Sequence, residues 1–180
     1  DKQQVYKVRL AELEDGKVAQ MGIYLPGRLG MDEGENILAM VITGDYAGYL
    51  YFFFANGKCA KVELSGYATK TNRRKLTGAY CDKSPLVSVI ELPQEEELAL
   101  YASDGRTLIF STALLAPKTT RATQGVAVMA LKKNAKLVRV RTLADSAIGN
   151  QARYRAKSLP AAGALLRQED TEEQQISLDL

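Results

Sequence analysis

Residues 49–78, YLYFFFANGKCAKVELSGYATKTNRRKLTG, decide the fold, because their pattern returns later in the chain. Tyr49–Phe54 is an aromatic and aliphatic run that favours extended chain, and Asn56-Gly57 supplies the pair wanted by a two-residue hairpin turn. The return strand spans 58–64. Along it Ala60, Val62 and Leu64 face one way while Lys61 and Glu63 face the other, the period of a half-buried strand. The chain then leaves through Gly66 into a basic loop, Lys70-Thr71-Asn72-Arg73-Arg74-Lys75, closed by Gly78.

A shift of 48 residues gives the second copy, LALYASDGRTLIFSTALLAPKTTRATQG at 98–125, in which Leu98, Asp104-Gly105-Arg106 and Lys118-Thr119-Thr120-Arg121 repeat Leu50, Asn56-Gly57-Lys58 and the start of the basic loop. Only the closing glycine is out of step, since Gly78 and Gly125 are 47 apart. A shift of 54 the other way sets Lys7-Val8-Arg9-Leu10 under Lys61-Val62-Glu63-Leu64, a shorter match. A fixed period of this length marks blades or solenoid turns, units that cannot bury their faces without a neighbour. Further strands are expected at 5–10, 37–43, 86–92, 126–131 and 137–141, with Arg139 and Arg141 on one face by strand alternation. Residues 153–163, RYRAKSLPAAG, read as the basic loop of another, incomplete repeat. A short helix is expected over 164–173 and an acidic, mobile end over 168–180. Long amphipathic helices are missing, which places the chain in the all-β class.

Charge is strongly segregated. Residues 1–60 hold 6 basic and 8 acidic groups, 61–157 hold 17 and 8, a net +9, and 158–180 hold 1 and 5. The cations recur at one point of a repeat, in loops that an array of blades sets along one rim, and regular spacing along a surface is what a polyanion's phosphates would meet. The chain has no histidine, which removes His-based general-base catalysis, Ser-His-Asp and Cys-His pairs and mixed Cys/His zinc sites. Cys59 and Cys81 read as idle thiols rather than a disulfide scaffold. Asp32-Glu33-Gly34-Glu35 reads as a turn, so no metal site is assigned, and Gly44-Asp45-Tyr46-Ala47-Gly48 lacks the Lys-Ser/Thr ending of a phosphate loop. No apolar run approaches the roughly 18 residues of a membrane span. With Asp1 first and a repeat-like strand directly after it, the chain reads as a piece of a longer polypeptide.

The repeated hairpins FFFANGKCAKVEL and LALYASDGRTLIFS are each followed by a Lys/Arg-Thr loop ending in glycine and then by a strand, SPLVSVIEL or VAVMAL. In this the chain resembles the C-terminal domain of the A subunit of bacterial type IIA topoisomerases, DNA gyrase and topoisomerase IV. The resemblance covers 1–163 and implies a β-pinwheel, a propeller relative whose blades exchange strands and around whose basic rim DNA bends. The repeat length leaves room for about three to four blades, an open or partial array, with 164–180 as an acidic tail. The Gln-basic-basic-Gly-Gly-basic-Gly box of gyrase has no copy here. Its nearest stretch, 72–78, keeps the basic cluster without the paired glycines, as in a topoisomerase IV-like or divergent gyrase-like protein.

The resemblance implies a DNA-binding and DNA-bending accessory domain that presents a duplex for ATP-dependent strand passage. It carries no catalytic residue and no cofactor of its own, ATP and magnesium being used elsewhere in the parent enzyme. Its partners would be double-stranded DNA, the B (ATPase) subunit and the upstream catalytic part of its own A subunit, in the bacterial cytoplasm and away from membranes. Lys70, Arg73, Arg74, Lys75, Lys118, Arg121, Lys132, Lys133, Arg139 and Arg141 are the expected phosphate contacts, while Leu50, Phe52, Phe54, Leu98 and Leu100 are expected in the blade core. The alternative is a propeller-type protein-interaction module without DNA binding.

Overall fold

Two hairpins built from the repeated stretch form the centre of the molecule. The computed structural model describes residues 1–13, 16–17, 21–69 and 74–171. Its strands are β1 (Val5–Tyr6), β2 (Tyr49–Phe54), β3 (Lys58–Glu63), β4 (Lys75–Leu76), β5 (Leu86–Leu92), β6 (Glu97–Ala102), β7 (Arg106–Ser111), β8 (Val126–Ala127), β9 (Leu137–Thr142) and β10 (Ala164–Leu165). They form two four-stranded sheets, β5-β2-β3-β8 and β10-β7-β6-β9, and a two-stranded sheet, β1-β4.

The 48-residue shift is accurate to the residue over both hairpins, since β2 and β3 map onto β6 and β7 without a gap. The turn differs from the expectation. Each hairpin closes through three residues, Gly57 and Gly105 alone take positive φ (78° and 80°), and their amides donate to Phe54 and Ala102. This is a type I turn followed by a left-handed glycine, and the Asn56 and Asp104 carboxamide and carboxylate oxygens accept from the amides of Lys58 and Arg106, each at 3.2 Å. A register shift falls at the same place in both sheets, between Phe53 and Phe54 against β5 and between Tyr101 and Ala102 against β9.

The outer strand of each sheet is borrowed from further along the chain. β8 follows the second hairpin yet pairs with β3 of the first, Lys58 opposite Ala127 and Cys59 opposite Val126. β10 pairs with β7 in the same way. This exchange is the pinwheel arrangement, and the three sheets form an open array. Two further hydrogen bonds repeat with it: the Lys118 amide donates to the Lys61 carbonyl, and the Ala156 amide to the Ile109 carbonyl. The stretch 153–163 is therefore the structural counterpart of the second basic loop, as its sequence suggested. Gly163, rather than Gly78, is the counterpart of Gly125, and both sit pressed against a strand. A Cβ on Gly163 would lie 2.5 Å from the Thr107 carbonyl oxygen and one on Gly125 would overlap that of Cys59, whereas Gly78 faces open space.

Both faces of each hairpin are buried, which explains why Tyr49–Phe54 is apolar throughout instead of alternating. Tyr51, Phe53 and Cys59 meet Leu98, Leu100, Leu108 and Phe110 between the two large sheets, with the Phe53 and Phe110 rings edge to face at 6.4 Å. On the other face of the first sheet Leu50, Phe52, Phe54 and Val62 pack with Leu76, Tyr67 and Tyr80, the Phe52 ring stacking on both tyrosines. Ala99, Tyr101 and Ile109 cover the far face of the second sheet with Ile148 and Tyr154. The five core residues named from sequence are all buried.

Five expectations change. Lys61 is 3% exposed rather than solvent-facing, because the neighbouring blade covers its face of the strand. The strand expected over 5–10 shortens to Val5–Tyr6 and that over 126–131 to Val126–Ala127, each pairing only where a neighbouring edge is free. Residues 37–43 form no strand. The helix expected over 164–173 is instead β10 and a 3-10 turn at Gln168–Asp170, because the backbone of Ala164–Leu165 pairs with β7 and the buried Asp170 carboxylate accepts from the Tyr154 hydroxyl at 2.5 Å. The acidic end beyond residue 171 lies outside the described residues.

Alanine at Gly125 is expected to lower unfolding free energy by about 2–4 kcal/mol, backbone strain and the clash with Cys59 acting together. Gly78→Ala pays only the left-handed strain, about 1–2 kcal/mol. Urea unfolding of the two variants checks the contrast, and equal losses would show that the exchanged strand does not depend on the close approach.

Candidate nucleic-acid interface

A polyanion is attracted by cations whose charge is not already cancelled nearby, so the ten expected contacts sort by their partners. Lys70 and Arg73 lie outside the described residues. Arg74 pairs with Glu12 at 3.0 Å, and Lys75 holds both carboxylate oxygens of Asp32 at 2.9 and 3.0 Å. The hydrogen bond from Lys75 keeps the Asp32 carboxyl below its usual range, and the same bond raises the lysine. Acidic residues of the first sixty thus fold back onto the first basic loop.

The second loop keeps its charge. Lys118 is exposed, its backbone fixed by the bonds to Lys61 and Glu63, and Arg121 lies over the Tyr67 ring with its guanidinium carbon 5.7 Å from the centroid. Burial pushes the Tyr67 hydroxyl far above the normal phenol range, so it stays neutral beneath the arginine.

The densest group is on the second sheet. Lys132 and Lys133 are exposed in the β8–β9 loop, which is tightened by an Ala135 to Lys132 backbone bond and by Asn134 at φ 68°. That loop is anchored across both hairpin turns: Leu137 donates to the Ala55 carbonyl, Ser103 to the Lys136 carbonyl, and the Lys136 amide to the Ser103 hydroxyl. β9 then runs as the edge strand with Arg139 opposite Tyr101 and Arg141 opposite Ala99. Both arginines are exposed on the outward face, as the alternation required. Arg139 stacks over Tyr101 at 4.5 Å and Arg141 donates to the Asp145 carbonyl at 3.1 Å, contacts that orient the guanidinium groups and leave their charge in place. Among the described residues none of Lys118, Arg121, Lys132, Lys133, Arg139 and Arg141 makes an ion pair. Lys136, exposed between loop and strand, joins this group. Sequence reading passed over it, although its place in Lys132-Lys133-Asn134-Ala135-Lys136 was the available signal.

Lys61 is taken out of this surface. It bonds Glu95, lies over the Tyr49 ring at 4.4 Å, and Glu95 also accepts from the Thr112 hydroxyl at 2.6 Å. Burial opposes charge on both groups, yet the hydrogen bonds win: the Glu95 carboxyl is lowered and the Lys61 amine raised. A lowered folded-state carboxyl stabilises above its unfolded pKa and loses that contribution as pH falls through the folded value. A raised lysine does so below its unfolded value and loses it at high pH. Lys61→Met is expected to cost about 1–3 kcal/mol at pH 7, less than for a fully buried pair because Glu95 is 41% exposed. Unfolding at pH 7 and pH 3 checks it, the gap from the wild-type chain narrowing at the lower pH. A constant gap would mean that packing alone is lost.

Known proteins provide a comparison with this geometry. No family model matches the chain. It is 27% identical over 127 residues to the A subunit of DNA gyrase from Mycoplasma pneumoniae, a match covering 70% of this chain and 15% of that protein. Its fold matches a solved C-terminal domain of DNA topoisomerase IV with a TM-score of 0.75 at 22% identity, covering 91% of this chain and 55% of that one. A solved DNA gyrase A C-terminal domain matches with a TM-score of 0.62 at 20% identity, covering 91% and 56%. The chain thus spans a small part of the gyrase polypeptide and little more than half of each solved domain. The resemblance read from the sequence is borne out, and with it the all-β pinwheel fold.

Proposed function

We propose that this chain is the DNA-binding and DNA-bending accessory domain of a type IIA topoisomerase A subunit. It holds a duplex segment for strand passage while ATP hydrolysis, magnesium-dependent cleavage and the B subunit's work belong to other parts of a cytoplasmic bacterial enzyme. The observation that carries this reading is the group Lys132, Lys133, Lys136, Arg139 and Arg141, five exposed cations on one loop and the edge strand that follows it, without a carboxylate pair among the described residues. Two residues along a strand advance about 6.6 Å, so Arg139 and Arg141 can meet separate phosphates of one backbone. Guanidinium and ammonium groups bind phosphate oxygens and position a duplex without reading bases. Sequence preference is therefore weak and set by how readily the DNA bends. Lys118 and Arg121 lie at the opposite end of the first hairpin, and a duplex reaching both groups would have to follow the curved edge of the array.

Titration of a duplex of about 40 base pairs at several salt concentrations tests the reading. Neutralising about six phosphates gives a log–log slope near −5. Replacing Lys132, Lys133, Arg139 and Arg141 with alanine is expected to reduce that slope by about 3.5 and to leave the fold intact, since exposed charges contribute little to stability. Replacing Arg74 and Lys75 should do less, because Glu12 and Asp32 already neutralise them. Binding that is flat with salt, or unchanged in the quadruple variant, would overturn the proposal and favour a protein-interaction module.

A further inference from the structure

The acidic turn Asp32-Glu33-Gly34-Glu35 has a defined place in the structure. It closes through the Glu35 amide, which donates to the Asp32 carbonyl at 3.1 Å, with Gly34 at φ 70°. Its two ends do different work. Glu35 is buried, and its carboxylate accepts from the Tyr6 hydroxyl at 2.6 Å and from the Asp32 amide at 3.2 Å, which pins the turn to β1. Asp32 is exposed, and both its carboxylate oxygens hold the Lys75 ammonium while the Gln4 carboxamide donates to one of them at 2.9 Å. Lys75 is fixed as well, since it stands opposite Tyr6 in the β1–β4 pair and lies over the Tyr6 ring at 5.5 Å.

Glu12 covers the preceding cation. Its carboxylate pairs with Arg74 at 3.0 Å, and its backbone carbonyl accepts from the Arg28 guanidinium at 2.7 Å. It sits in a cleft whose walls carry Lys7, Arg28 and Arg74, and Glu12 is the single acid among the described residues that line it. Guanidinium and ammonium groups around one carboxylate are the surroundings that a phosphate would also accept. Two carboxylates from separate parts of 1–43 therefore land on consecutive cations, Arg74 and Lys75. Lys132, Lys133, Lys136, Arg139 and Arg141 on the second sheet have no such cover among the described residues.

We propose that Glu12 and Asp32 form an autoinhibitory clasp, two carboxylates that stand where phosphates would bind and withhold Arg74 and Lys75 from DNA until a duplex backbone displaces them. The clasp rests on the reading of this chain as a DNA-binding domain, and it adds a masked contact surface to the open one on the second sheet. Displacement is within reach because the pairs are open to solvent: the Arg74 side chain is 65% exposed and that of Asp32 50%. Exposed ion pairs are weak, while a duplex carries a negative charge about every 1.7 Å of its axis. Glu35 stays bonded to Tyr6, so the clasp opens by rotation of the Glu12 and Asp32 side chains and 1–43 keeps its path. Binding is then ordered. The unpaired cations of the second sheet engage first, and Arg74 and Lys75 follow once the same duplex is close enough to compete for them.

The test compares Glu12→Gln/Asp32→Asn, which keeps the side-chain shapes and removes the charges, with Glu33→Gln/Asp82→Asn. The second variant makes the same change in net charge at two exposed acids that form no ion pair among the described residues. Each further phosphate contact steepens the log–log salt slope by about 0.9, so the clasp variant is expected to steepen it by about 1.8 on a duplex of about 40 base pairs. It should bind about tenfold tighter than the wild-type chain at about 50 mM salt and nearly equally at about 200 mM. The control keeps the wild-type slope. Adding Arg74→Ala/Lys75→Ala to the clasp variant removes the gain. If melting shows that the double variant does not fold, Glu12→Gln alone is read in the same way with half the change in slope. A wild-type chain without salt-dependent binding overturns the DNA-binding reading and the clasp together. A wild-type slope near −5 that the clasp variant leaves unchanged, or that the control steepens equally, overturns the clasp alone.

Discussion

The structure depends on hairpins that are apolar on both faces. A strand such as Tyr49–Phe54 can be satisfied only if it is covered twice, by Leu98, Leu100 and Phe110 on one side and by Tyr67, Leu76 and Tyr80 on the other. An isolated hairpin of this kind would expose both stripes, so each unit is stable only within a row. The exchanged strands strengthen that dependence. Because β8 is tied to β3 while its flanking chain belongs to the next blade, backbone hydrogen bonds link successive blades in addition to side-chain packing.

That constraint accounts for what could be read from the sequence. The hairpins were legible because strand propensity, the Asn-Gly and Asp-Gly turns and the 48-residue recurrence all agree, and agreement between levels is a strong signal. The exchanged strands were not, since two residues carry no period, and their position is set by a glycine pressed against a distant carbonyl. Gly125 and Gly163 reveal their equivalence only in space. Lys61 misled for a related reason: alternation assumes one wet face, and here the second face meets another blade. In 37–43 local propensity for a strand was present without a partner to pair with, and backbone pairing, not propensity, makes a strand.

For the candidate interface the residue types were legible and their electrostatic state was not. Lys75 and Arg74 look as available in sequence as Lys132 and Lys133. The difference is made by Asp32 and Glu12, which lie about forty or more positions earlier and meet Lys75 and Arg74 only in the folded chain. Arg139 and Arg141 could be placed on one face by alternation because β9 is an edge strand with one side open, the situation in which the period-two rule holds.

Charge segregation along the chain then acquires a spatial meaning. Acidic residues of the N-terminal third are not spread evenly against the cations: Glu12 and Asp32 pair with Arg74 and Lys75, while Lys132, Lys133, Arg139 and Arg141 on the second sheet make no ion pair among the described residues. Exposed pairs of this kind are worth little to stability and are screened by salt, so the cancellation is electrostatic and leaves the fold unaffected. The two sheets therefore share one backbone plan and differ in surface potential. The hairpin geometry is held by burial, while the rim charges are free to vary because each contributes little to folding. A repeat array can in this way keep its blades alike and still carry a graded surface charge, with unpaired cations gathered where the edge strand carries Arg139 over the Tyr101 ring and Arg141 beside it.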